Sequence, residues 1–453
     1  MMRVILIATS IFMYSSAAGQ ADDSIAVKKI FDETLTNSSA YTNLRTLCKQ
    51  VGPRLSGSAN FSKAVQVVSQ MMKDAGTDTV YLQECMIPHW VRGEKETGKI
   101  IISGEKDHDL KLCALGTSIG TGIKGLRADV VEVKSMPELH QLGDKVKGKI
   151  VFFNFRMNPT YLRVFQAYGE SGIARRLGAA QAAKYGAIGV MVRSLAINLN
   201  DYPHTGTMSY NDSFPKIPAV AISTNDAEWL SKMLSNSKVV TASFKTYCKQ
   251  LPDVKGYNVV GEIRGSQFPK EIITVGGHLD SWDLAEGAND DGSGVVQSVE
   301  VLRALKKAGT FRTVRAVAFA NEEISGTGAD AYLAQAKKNN EQHIFALESD
   351  AGGFTPRGFR LEMDTAKMQK IYAWNYLLNP YGLYETGPGG SGADVGPLKA
   401  IGTALAGLNT DSQRYFDLHH AATDTFENVS ERELNFGAAA MAALVYLVSE
   451  HGL

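Results

Sequence analysis

Apolar positions recur along the chain with two different periods, and each change of period marks an element. Ala64, Val67, Val68, Met71, Met72 and Ala75 follow the i, i+3, i+4, i+7 spacing of one helix face, and Gly76 closes the run. From about residue 115 to 240 the texture differs. An apolar strand at 149–153 precedes the helix-like segment 179–185, and further strands are predicted at 188–192 and 218–222. Beyond residue 257 strands and helices alternate: strand 272–276, helix 293–308 closed by Gly309, strand 314–320, helix 329–338 and strand 344–347. Apolar runs this short, separated by helices, predict a mostly parallel sheet covered by helices on both faces, an α/β fold. A final long helix has a clear start: Ser430 as N-cap and Glu433 three residues on form a capping box before Leu434, Met441, Leu444 and Val448.

The first residues change the picture in another way. Arg3, the apolar stretch from Val4 to Tyr14 and the small residues Ser16-Ala17-Ala18 read as an export signal over residues 1–18, with the mature chain starting near Gly19. No later stretch approaches the ~20 apolar residues of a membrane helix, so the expectation is a secreted or periplasmic protein without a transmembrane anchor. The 453 residues exceed the usual reach of one hydrophobic core, which predicts two domains or one domain enlarged by an insertion. The segment 115–240, with strands and a helix of its own and none of the candidate chemistry, is read as that insertion. The 47 basic and 47 acidic residues cancel, a balance that gives no basic surface for nucleic acid and leaves a small molecule or peptide as the partner. A homodimer is compatible with the sequence. Cys48, Cys85, Cys113 and Cys248 form no C-x-x-C pair, which argues against a zinc knuckle and leaves disulfide pairing open.

The acids and histidines fall where the predicted strands end. His278 and Asp280 follow the first strand of the C-terminal part, Glu322 and Glu323 the second, and Asp350 the third. Ligands of open parallel sheets bind outside the carboxyl ends of the strands, so three strands deliver these groups to one crevice. Asp290 and Asp291, at the start of the following helix, reach the same place, although Asp at a helix start is usually a cap. Carboxylates packed together repel unless something positive lies among them, and His with carboxylate ligands suits zinc. His419, His420 and Asp424 supply further donors. A metal-bound histidine usually gives its other ring N–H to a carboxylate; Asp280 is placed to receive it from His278 and Asp424 from His420.

These motifs carry a resemblance. Gly276-Gly277-His278-Leu279-Asp280, Asn289-Asp290-Asp291-Gly292, Asn321-Glu322-Glu323, Glu348-Ser349-Asp350 and His419-His420 resemble the zinc exopeptidase family of cocatalytic aminopeptidases and glutamate carboxypeptidases. Gly52-Pro53-Arg54-Leu55-Ser56-Gly57-Ser58 and Gly389-Gly390-Ser391-Gly392-Ala393-Asp394 extend the likeness. It implies a catalytic domain over 19–114 and 241–453 with a protease-associated α+β domain inserted at 115–240. It also implies two Zn²⁺ per chain held by His278, Asp290, Glu323, Asp350 and His420, with Asp290 bridging. Glu322 matches the general base that takes a proton from a bridging water. The substrates implied are dipeptides and short peptides with a free N-terminus. The spacing to Asp424-Thr425 selects His420 over His419 as ligand; His419 is a candidate for steadying the oxyanion. Asp394 is the candidate acid for the substrate's ammonium group. Two other readings use the same residues: a single-zinc glutaminyl cyclase, and a receptor-like binding protein that keeps the fold without activity.

Overall fold

The computed structural model describes residues 23–236 and 239–453. The predicted export signal, 1–18, lies outside the described residues. Those residues form two eight-stranded sheets with helices packed against them. In chain order the first sheet contains β1 Thr79–Val91, β2 Lys249–Ile263, β3 Phe268–His278, β4 Arg312–Phe319, β5 Gln342–Glu348, β6 Pro356–Glu362, β7 Gly387–Pro388 and β8 Ala404–Thr410. Across the sheet the order is β1-β2-β4-β3-β5-β8-β6-β7. The middle four, β4, β3, β5 and β8, are mutually parallel. The pairs β1–β2, β2–β4 and β6–β8 are antiparallel, so the sheet is mixed with a parallel centre.

That centre reads as continuous apolar runs because it is covered on both faces. Every residue of β4 is buried. The helix Ser293–Ala308 lies against β3 and β4 with Val299, Leu302 and Leu305 fully buried. Each such side chain contributes roughly 1.5–3 kcal/mol through removal of apolar surface from water. The C-terminal helix Glu431–His451 packs over it in turn. Ser430 caps this helix by accepting the Glu433 N–H, but the Glu433 carboxylate takes the Thr355 hydroxyl, so only half of the expected capping box forms.

The second sheet takes its strands from Thr97–Ile101 through to Thr241–Lys245. Leu126–Val133, Ile150–Phe153, Gly189–Arg193 and Ala219–Ile222 run parallel at its centre over a separate apolar core. The four cysteines are free and buried; burial pushes the thiols of Cys48, Cys113 and Cys248 up to about 12. Among the described residues no helix is long and apolar enough to cross a membrane.

Candidate metal centre

The four parallel strands end at the same edge of the first sheet, and each delivers part of one cluster. β3 ends on His278. β4 is followed by Glu322 and Glu323, β5 by Asp350, and β8 by the loop carrying His419, His420 and Asp424. Asp290 comes from the turn that opens the helix Ser293–Ala308. Close approach of that helix to β3 depends on two glycines. A Cβ on Gly277 would lie 2.2 Å from Asp291 Oδ2, and one on Gly294 would lie 1.9 Å from the Ser349 carbonyl oxygen.

Asp290 lies between two histidines. Its Oδ1 is 3.1 Å from His278 Nε2 and its Oδ2 is 3.2 Å from His420 Nε2. On the His278 side Asp350 Oδ1 stands 3.4 Å from Nε2 and Glu322 Oε2 at 4.0 Å. On the other side Glu323 Oε2 is 3.1 Å from His420 Nε2. Six side chains from five separated places in the chain thus gather on the two sides of one carboxylate. A cavity of about 10 Å³, room for a single water-sized group, is bounded by Trp282, Gly287, Asp290, Glu323 and His420.

Asp280 and Asp424 do not receive the imidazole N–H groups expected of them. His278 Nδ1 faces the backbone carbonyl of Asp280 at 3.0 Å, while the Asp280 carboxylate lies 3.8 Å away. That carboxylate accepts the Glu322 N–H at 3.0 Å, the Glu323 N–H at 3.4 Å and the Ser56 hydroxyl at 2.9 Å. Asp424, placed by the sequence reading against His420, instead accepts the backbone N–H groups of Asn289 at 2.7 Å and Asp290 at 3.1 Å. Both acids therefore hold the backbone at the cluster's other acids rather than imidazole. Asp291 is a helix-start cap: Oδ1 accepts the Gly294 N–H at 2.8 Å and Oδ2 the His278 N–H at 3.0 Å. Arg54 braces the same loops, donating to the carbonyls of Leu279 at 2.5 Å, Glu286 at 2.5 Å and Gly287 at 2.8 Å.

Of the two remaining candidates, Asp394 is buried away from the cluster and His419 lies within it. Asp394 is only 1% exposed, sealed beside Glu348 whose Oε2 accepts the Asp394 N–H at 2.9 Å. Burial and then Glu348 push its carboxyl well above the usual range, so it is an interior acid and not the wall of an open cleft. His419 stacks on His420 with ring centroids 3.5 Å apart, and its Nε2 is 3.7 Å from Asp290 Oδ2. Burial, and then the neighbouring His420, hold this ring well below the ordinary range, hence neutral.

The segment 115–240, read from sequence as free of chemistry, reaches the centre. His420 Nδ1 is 3.2 Å from the Thr205 carbonyl oxygen and 3.2 Å from Arg175 Nη1, and Tyr168 packs edge-on to His419 at 5.1 Å. A separate cavity of about 340 Å³ is lined by Arg163 and Phe165 from that segment and by Arg357, Arg360, Glu385, Asp411 and Gln413. Arg357 pairs with Asp411, whereas Arg163 and Arg360 have no carboxylate partner among the described residues. No local pattern announces these residues, because their neighbours in space lie hundreds of positions away.

The donors fit a metal. If each ring gives its Nδ1–H to the backbone carbonyl it faces, each Nε2 presents a lone pair to carboxylate oxygens at 3.1–3.4 Å. Lone pairs facing lone pairs repel unless a proton or a cation stands between them. Asp290 Oδ2, Glu323 Oε1 and Asp350 Oδ1 are buried without a hydrogen-bond donor. Burial opposes charge on His420, yet Glu323 and Asp290 lift its pKa to about 10; Asp290 and Asp350 likewise raise His278 against burial. Burial, followed by its neighbours, pushes Glu322 well up. The carboxylates thus draw positive charge toward both rings, a place a cation can take, and imidazole with carboxylate oxygen is a donor set that suits zinc.

Comparison with known proteins places this geometry in a lineage. Residues 258–445 match peptidase family M28. Carboxypeptidase Q of Homo sapiens is 36% identical over 416 residues, covering 91% of this chain and 85% of that protein. The crystal structure of a peptidase M28 precursor from Shewanella amazonensis SB2B superposes with a TM-score of 0.90 at 29% identity, covering 95% and 97% of the two chains. A zinc aminopeptidase from Bacillus subtilis shares the fold, with a TM-score of 0.64 at 21% identity over 90% and 93%. The chain is thus a metallo-exopeptidase belonging to peptidase family M28.

Proposed function

We propose that the chain hydrolyses dipeptides and short peptides with a free N-terminus at a centre of two zinc ions. The observation that carries this reading is the Asp290 carboxylate, which offers one oxygen to the side of His278 and the other to the side of His420. His278 with Asp350 would hold one ion, and His420 with Glu323 the other. When bound, the ions supply the Lewis acidity that makes water nucleophilic at neutral pH and offsets charge on the substrate carbonyl.

The chain's own residues do the rest. Glu322, whose side chain is 23% exposed, faces the opening of the cluster and takes the proton from the attacking water, then gives it to the leaving amine. Its raised pKa suits a group that must hold that proton between the two steps. Asp280 fixes where the base stands by accepting its backbone N–H. The neutral ring of His419, beside Asp290, is the group we assign to steadying the oxyanion.

The substrate reading rests on charge and room. The 340 Å³ cavity, whose Phe165 stacks on Tyr415 and through that ring neighbours His419, has room for a short peptide; Arg163 and Arg360, which line it together with the acids Glu385 and Asp411, suit a peptide carboxylate. An ammonium group taken out of water needs an acid. Asp394, sealed in the interior, is not that acid. We further propose that 115–240 is an inserted protease-associated domain, that 19–114 and 241–453 form the catalytic domain, and that 1–18 directs export. The test is a comparison of a free dipeptide with its N-acetyl analogue, with and without a chelator. Hydrolysis of the free dipeptide alone, abolished by the chelator, is expected. Equal rates on both substrates would end the free-amine reading, and activity that survives metal removal would end the metallopeptidase mechanism.

A further inference from the structure

Besides Arg175 and Tyr168, the inserted segment meets the candidate centre through a short strap at Thr205–Gly206. The Thr205 N–H donates to the His420 carbonyl oxygen at 2.9 Å, and the His420 ring meets the Thr205 carbonyl through Nδ1 at 3.2 Å. This double contact fastens both the backbone and the ring of a residue whose φ is 62°, a left-handed conformation uncommon outside glycine. Such backbone persists where its surroundings over-determine it. Gly206, with φ +129°, lets the strap pass. A Cβ there would lie 2.6 Å from His420 Nδ1 and 2.5 Å from Arg175 Nη1.

Thr205 is anchored in turn. It is fully buried, and its hydroxyl donates to the Ala114 carbonyl at 2.9 Å and accepts from Arg92 Nη2 at 3.3 Å. Arg92 forks onto Asp283 with contacts of 2.7–3.0 Å. Asp283 belongs to the loop that follows His278. One buried arginine therefore links the loop of one metal-side histidine to the strap that holds the other.

We propose that the Thr205–Gly206 strap, anchored through Arg92, positions His420 for metal and makes the inserted segment a working part of the centre. The inference rests on the two-zinc reading above. A carbonyl that accepts the Nδ1–H fixes the ring plane and the tautomer, and so leaves the Nε2 lone pair for the ion. The rival geometry has Arg175 donating to Nδ1, which puts the proton on Nε2 and blocks ligation. Loosening the strap would then strengthen metal binding or leave it unchanged.

The experiment is stepwise titration of Zn²⁺ into the metal-free full chain, in wild type, Gly206→Ala, Thr205→Val and Thr205→Ser. Thr205→Val keeps the shape but loses both hydroxyl bonds, whereas Thr205→Ser keeps the hydroxyl. The expected result is a roughly 10–100-fold loss of affinity at one of the two sites in Gly206→Ala and Thr205→Val, with the other site unchanged. Thr205→Ser is expected to bind as wild type does. The inference is overturned if Thr205→Val keeps both affinities, if both sites weaken equally, or if Thr205→Ser fares no better than Thr205→Val. Should Gly206→Ala not fold, the Thr205 pair decides alone. Failure of the two-zinc reading shows separately, as fewer than two ions in wild type.

Discussion

The proposed function gives the neighbouring glutamates Glu322 and Glu323 different tasks, and the geometric difference is where each side chain points. Glu323 Oε2 faces His420 Nε2 at 3.1 Å, and that side chain is 3% exposed; Glu322 stands 4.0 Å from His278 Nε2 with a side chain 23% exposed. The first geometry suits a ligand and the second a base that must reach water and substrate. Glu322→Gln is therefore expected to keep its zinc and to lose roughly 10²–10⁴ in turnover, the usual share of general acid–base catalysis. Glu323→Ala is expected to lose metal. Metal analysis and steady-state kinetics of both variants check this; near-normal turnover in Glu322→Gln, or full zinc in Glu323→Ala, would reverse the assignment. The pair itself was legible in the sequence, as adjacent acids after an apolar run. The grip on it was not. Whether Asp280 offers its carboxylate or its carbonyl to His278 depends on a turn at Asn321, whose φ of 61° aims two successive N–H groups at Asp280.

At the scale of elements, the strand-end rule did most of the locating. β4, β5 and the part of β3 from Ile272 onward carry short apolar runs because both their faces are covered, and such runs stand out from the chain around them. The long antiparallel strands β1 and β2 do not. Each has exposed positions along much of its length and a proline within it, so no apolar run marks it. The helix Ser293–Ala308 was legible to its ends, but its closeness to β3 was not, since that depends on Gly277 and Gly294. Gly294→Ala would drive a methyl group to 2.4 Å from Asp291 Oδ2 and 1.9 Å from the Ser349 carbonyl. The neighbours there are backbone and a cap, with little room to yield. The expected cost is about 1–3 kcal/mol of stability, as for other overpacked interiors. Loss of zinc affinity should accompany it, because Asp290 and Asp350 flank the displaced atoms. Thermal unfolding of the metal-free protein together with zinc titration measures both; an unchanged midpoint and affinity would contradict the packing argument.

For the whole molecule, the centre is a meeting of two sheets. The first supplies the ligand-bearing ends of four parallel strands, and the second sends Thr205, Arg175 and Tyr168 against the two histidines. Periodicity reveals the two bodies separately and says nothing of their contact, which joins residues 215 positions apart. In the proposed function this meeting holds two ions, with Asp290 shared between them. A single-zinc cyclase and an inactive binding protein would keep the same fold and nearly the same motifs, so activity on one substrate does not separate them. Metal content does. Zinc per chain, measured by elemental analysis of purified protein dialysed to equilibrium, is expected to be two in wild type and to fall in Asp290→Ala by more than one ion, because both half-sites lose a donor. One zinc in wild type, or none, would contradict the account.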